Sequence, residues 1–145
     1  MKILFDTINI DKPALNFAFT EKWLENVVID NNKKIKDLSI VFCSDDYILD
    51  LNKKYLNHNY FTDIITFDYS EKNHISGDII ISIDTVQSNA QKYKSDFYTE
   101  LHRVMVHGVL HMLGFDDKTD EQKKIMREKE DFYLSYSTSN TNSIG

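Results

Sequence analysis

Between Phe97 and Leu113 apolar side chains occupy nearly every face of a 3.6-residue helix, with Leu101, Val104, Met105, Val109, Leu110, Met112 and Leu113 leaving no broad polar side. A helix of that kind is stable only when buried, so the rest of the chain must be arranged around it. Its second half also carries His107 and His111. Positions i and i+4 lie about 40° apart on one helix face, so both imidazoles can address one metal ion. Gly114 follows, the residue type that ends helices in a left-handed conformation because it has no Cβ to clash. A chain that turns back there can bring Asp116 or Asp117 to the same ion. Two His and one carboxylate leave a fourth tetrahedral position for water, the composition of a catalytic zinc site. The competing reading is a pair of core histidines satisfied by backbone or carboxylate partners.

The neighbouring residues narrow the chemistry. Residues 107–117 follow the longer HxxxHxxGxxH spacing of some zinc proteases, with Asp117 where a third His would stand. In HExxH proteases the general base directly follows the first His; here that position is Gly108. Ligand spacing is kept and the protease base is missing.

The same stretch resembles the HGxLHxxGxDH signature of the YbeY family, bacterial zinc endoribonucleases of ribosomal RNA maturation. Leu51-Asn52 through Tyr55, Thr62-Asp63, Thr66 and Phe67 resembles a second family segment, and Gly77-Asp78-Ile79-Ile80-Ile81-Ser82 a third, GDIxIS. The resemblance covers about residues 1–134. It implies one zinc ion per chain held by His107, His111 and Asp117, with His107 and His111 also counted as catalytic. It further implies cleavage of single-stranded RNA near the 16S rRNA 3′ end, a part in ribosome quality control, and small-subunit proteins and assembly factors as partners, with no role for DNA. His58, in the loop before Thr62, can contact phosphate or shuttle a proton if that loop borders the cleft as in the family. Three positions depart from the pattern: Asp117 replaces the third His, Leu56 an arginine thought important for activity, and Phe61 a proline. The alternatives are a metal-dependent peptidase or amidase, disfavoured by Gly108, and a non-catalytic ribosome-assembly factor with a structural metal.

Composition fits a single enzyme domain over residues 1–136, followed by a polar stretch, 137–145, expected to be a disordered tail. No apolar run approaches the roughly 18 residues of a membrane span. The N-terminal apolar run is broken by Asp6 too early for a signal peptide, so the expected compartment is the cytoplasm. Cys43 sits alone in an apolar strand-like run and reads as a buried, inert thiol. The net charge of −6 argues against an extended phosphate-binding surface. Lysine pairs at Lys33-Lys34, Lys53-Lys54 and Lys123-Lys124, the last with Arg127 and Lys129, read as solvated faces or at most a local basic patch.

The order of elements predicts an α+β fold: a single mixed β-sheet of about four strands covered by helices, with a buried central helix carrying the metal ligands. Strands are expected at Lys2–Ile8, Leu38–Cys43, Asp63–Tyr69 and Asp78–Ile83, the last two joined as a hairpin. Helices are expected from Pro13 to about Asn31, from a Ser44-Asp45-Asp46 cap to Tyr55, from an Asp84 cap to Tyr93, from Phe97 to Leu113, and from Asp120 to Tyr136. Glu100 reads as a partner of the first-turn dipole and His102 as structural. Asp63 and Asp78 are candidates to orient a metal-bound His, or else strand-end hydrogen-bonding groups.

Overall fold

The structure, a computed structural model, describes residues 3–56 and 62–144, with side chains described as far as Tyr136. In chain order it contains β1 (Ile3–Ile8), α1 (Phe17–Asp30), β2 (Lys34–Cys43), α2 (Asp45–Leu56), β3 (Ile64–Asp68), β4 (His74–Ser82), α3 (Ile83–Lys92), α4 (Phe97–Met112) and α5 (Asp120–Ile144). The strands form one sheet in the order β1-β2-β4-β3. β1 and β4 run parallel to β2, and β3 closes the edge antiparallel to β4. This is the mixed sheet the element order predicts.

Period-2 alternation sends the two faces of the sheet into separate cores. Leu38, Ile40, Phe42, Ile75, Ile79 and Ile81 face the larger one, with Leu101, Met105, Val109 and Leu110 of α4 and Trp23, Leu24 and Val27 of α1. Cys43, Ile65 and Ile80 face the smaller one under Ile48 of α2. α4 is therefore central, as its all-round apolarity requires. α5 is tied to α1 by polar groups as well. The Trp23 indole donates to the Tyr133 carbonyl (3.1 Å), and the Tyr133 hydroxyl donates to Asp30 (2.5 Å).

Element ends differ from the sequence reading where side-chain caps decide them. α1 begins at Phe17 because the Asn16 side chain accepts from the Phe19 amide, while Pro13 lies upstream of the helix. α3 is capped by Ser82, not Asp84; the Asp84 carboxylate instead accepts the backbone N–H of Asp45 across the gap to α2. β2 starts at Lys34, with a bulge between Ile35 and Asp37 that interrupts its alternation. β4 starts at His74, so the hairpin turn is shorter than the polar run Ser70–Gly77 suggested. α5 runs to Ile144, beyond the end expected near Tyr136.

Candidate metal centre

α4 and the turn that follows it build the cluster. The helix ends at Leu113 with the Gly114 N–H bonded to the His111 carbonyl and the Phe115 N–H to the Leu110 carbonyl, both 3.0 Å. That bond pair is a Schellman turn, and it needs a positive φ at the residue past the cap, which Gly114 supplies at +107°. The chain reverses there and brings Asp117 back beneath its own helix. His107 and His111 lie one turn apart with ring centroids 4.9 Å apart. Asp117 Oδ2 is 3.4 Å from His107 Nε2 and Asp117 Oδ1 is 3.3 Å from His111 Nε2. One donor atom from each of the three lies within 4.8 Å of the others. Asp116 is exposed and outside this group.

The donor set suits a divalent transition metal: two imidazole nitrogens and a carboxylate oxygen, partly open to solvent at 22%, 32% and 38% side-chain exposure. The tautomer of His107 also fits. Its Nδ1 lies 2.7 Å from Glu130 Oε2 of α5. With Glu130 accepting from Nδ1, the neutral ring carries its proton there and turns the Nε2 lone pair to the cluster, as a metal-bound imidazole requires. Arg103 holds the other Glu130 oxygen at 2.8 Å and reaches Asp131 at 2.7 Å. Burial pushes the His107 imidazolium down, but Glu130, Asp117 and Asp63 outweigh it and hold its pKa above the ordinary range. Three carboxylates thus give the position a negative potential, which favours a cation.

Glu130 and Arg103 escaped the sequence reading, although a signal existed. Arg103 stands four residues before His107, on the same face of an otherwise apolar helix, and a guanidinium there needs a carboxylate across the interface. What sequence could not show is that α5 supplies it.

The remaining candidates are placed as follows. Asp63 lines the cleft beside His107, with burial raising its carboxyl pKa and His107 partly opposing. The position of a His107 partner is taken by Glu130, and Asp78 is not among the residues lining the cleft. Glu100, in the first turn of α4, also lines the cleft; burial raises its pKa while Arg103 pulls it back. His102 is buried with Nδ1 2.6 Å from the Tyr98 carbonyl, away from the cluster. Leu56 ends α2, and His58 and Phe61 lie outside the described residues. Cys43 is buried, and its thiol is pushed up to about 12 by burial and by Asp45 and Asp84.

Gly108 has its own structural reason. A Cβ there would stand 2.9 Å from Ile64 Cδ1 and 3.0 Å from Ile79 Cδ1. The position after the first His therefore faces the sheet, and the protease base has no room at that place.

The chain matches the family model described as Endoribonuclease YbeY over residues 6–137. The protein named Endoribonuclease YbeY of Azobacteroides pseudotrichonymphae is 45% identical over 130 residues, 90% of this chain and 94% of that one. Its namesake in Cytophaga hutchinsonii is 51% identical over 114 residues, 78% and 80% of the two chains. The solution structure of TM1509 from Thermotoga maritima superposes with a TM-score of 0.73 at 26% identity, covering 97% of this chain and 92% of that one.

Proposed function

This chain belongs to the Endoribonuclease YbeY family, and from that premise we propose that it is a zinc-dependent endoribonuclease, specific for single strands, that matures ribosomal RNA near the 16S 3′ end and serves ribosome quality control. The observation that carries the reading is the convergence of His107, His111 and Asp117 beside an open cleft in a chain of that family. The implied partners are the rRNA precursor, small-subunit proteins and assembly factors. The proposed compartment is the cytoplasm, and no helix among the described residues is long and apolar enough to cross a membrane.

His107, His111 and Asp117 would hold the ion. Once bound, it supplies Lewis acidity to a phosphoryl oxygen and to water. The chain's own residues do the rest. Glu130 keeps the proton on His107 Nδ1 and so keeps Nε2 free for the cluster. Arg103, fastened between Glu130 and Asp131, fixes that carboxylate and with it the imidazole plane. A peptidase reading loses further ground, because Gly108 packs on Ile64 and Ile79 where a general base would be needed.

The test is cleavage of a precursor fragment carrying the 16S 3′ end by purified protein, beside His107→Ala. Cutting by the wild type alone supports the nuclease; equal cutting by both means a contaminant and overturns it. Elemental analysis after purification without chelators or added metal should give about one zinc per chain. Two His and one carboxylate also suit Fe(II), so iron at that ratio would correct the metal. No bound transition metal, with stability unchanged in a chelator, would remove the site.

A further inference from the structure

The cleft at the cluster, about 310 Å³, has His107, Asp117, Asn89, Tyr93, Arg103 and Arg127 among its lining residues. Its two arginines differ. Arg103 is held by Glu130 and Asp131 through separate guanidinium nitrogens, so its charge is already matched. Arg127 is exposed and forms no hydrogen bond or ion pair among the described residues, although its charge reaches Glu100 in the cleft wall. Arg127 stands three residues before Glu130 on α5, hence one turn away on the same face, a rise of about 4.5 Å. Since Glu130 touches His107, the free guanidinium lies one helical turn from the carboxylate that positions a proposed ligand.

Tyr93, also in the lining, caps the end of α3 and is 63% exposed, with Lys92 Nζ 5.4 Å from its ring centroid. An exposed aromatic beside a guanidinium is the pairing that recognises an unstacked nucleotide: the ring takes a base face and the guanidinium takes phosphate through paired N–H donors. Asn89, one turn before Tyr93, adds an amide able to meet a base edge.

Resting on the endoribonuclease reading, we infer that this cleft is a single-nucleotide subsite for single-stranded RNA, in which Arg127 binds the phosphate next to the metal cluster and Tyr93 stacks the neighbouring base. A duplex is excluded because its bases are not free to leave the stack. Asp63 and Glu100 also line the cleft and repel a phosphate, so Arg127, whose guanidinium has no hydrogen-bonded carboxylate among the described residues, is the side chain placed to attract one.

The test is fluorescence anisotropy with a labelled RNA hexamer in chelator, so that binding is read without cleavage, over a series of salt concentrations. Arg127→Ala should weaken binding about tenfold at low salt and flatten the log–log salt dependence by roughly 0.7, the value for one lost single-strand phosphate contact. Arg127→Lys should recover part of the affinity. Tyr93→Ala should cost about 5- to 100-fold, while Tyr93→Phe should bind as the wild type does. Lys33→Ala, a charge removed outside the cleft, should change little, and an RNA duplex should not compete. Wild-type affinity and slope in Arg127→Ala would overturn the subsite, as would equal effects of Lys33→Ala. If such variants also cleave like the wild type, the nuclease reading stands and only the subsite fails. If the wild type neither binds nor cleaves RNA, both fall together.

Discussion

Asp117 carries the sharpest residue-level expectation, because its two carboxylate oxygens face different imidazoles while Asp116 points to solvent. Asp117→Ala should weaken zinc binding severely, Asp117→His should keep it, and Asp116→Ala should cost little. Zinc titration of the three decides the matter, and loss of metal in Asp116→Ala with retention in Asp117→Ala would reverse the assignment. Glu130 is the second case. It is 5% exposed and bonded to His107 and Arg103 at once. Its removal leaves the imidazole unoriented and Arg103 short of a partner, so Glu130→Ala should lower zinc affinity about 10- to 100-fold. Glu130→Gln should lose less, since an amide oxygen still accepts from Nδ1. Nitrogen NMR of the His107 ring in the metal-free protein should show the proton moving off Nδ1 in the Ala variant. The pairing of His107 with His111 could be read from spacing alone, because both lie on one helix, whereas spacing left Asp116 and Asp117 open and the family resemblance chose Asp117. Glu130 could not, because its contact spans 23 residues of sequence.

Two glycines shape the element that carries the site, and they do so by different physics. At Gly108 the backbone of α4 approaches the sheet so closely that a Cβ would press on Ile64 and Ile79. At Gly114 nothing lies within 4 Å of an added Cβ, and only φ of +107° resists substitution. Gly108→Ala should therefore destabilise by about 1–3 kcal/mol through overpacking, with Ile79→Val restoring part of the loss. Gly114→Ala should cost about 1–2 kcal/mol through strain that Ile79→Val does not relieve, and should also weaken zinc binding by displacing Asp117. Urea unfolding of the singles and doubles separates the two; rescue of both variants, or of neither, contradicts this division. Helix interiors were legible because apolar periodicity fixed them. Helix ends were less so, since they depend on which short polar side chain captures a free amide. Thr119 and Gln122 show the point at the start of α5: the hydroxyl accepts the Gln122 N–H and the Gln122 amide oxygen accepts the Thr119 N–H, each at 3.1 Å.

For the whole molecule, the β3–β4 hairpin and the burial of α4 followed from local pattern, whereas the place of β2 between β1 and β4 rests on parallel pairings between strands distant in sequence. The same long-range packing sets how stability responds to pH, and His102 shows how. Its ring is buried between α4 and α1, with the Trp23 indole 5.3 Å away and the Tyr98 carbonyl on Nδ1. Burial lowers its pKa below the ordinary 6.5, and the Tyr98 carbonyl and Asp96 offset only part of that. Above pH 6.5 the ring is neutral in both the folded and the unfolded chain, so the full stability is present. As pH falls through that value, the unfolded chain takes up a proton that the folded chain resists, and stability is lost. Other groups titrate too: His107, whose pKa is raised, acts in the opposite sense, with stability lost as pH rises. The difference between wild type and His102→Gln, which can still donate to the Tyr98 carbonyl, isolates the buried ring. Urea unfolding in chelator at about pH 7.5 and 5.5 should show a smaller acid loss in His102→Gln than in the wild type. Equal losses would mean that the buried ring takes up its proton as readily in the folded chain as in the unfolded one.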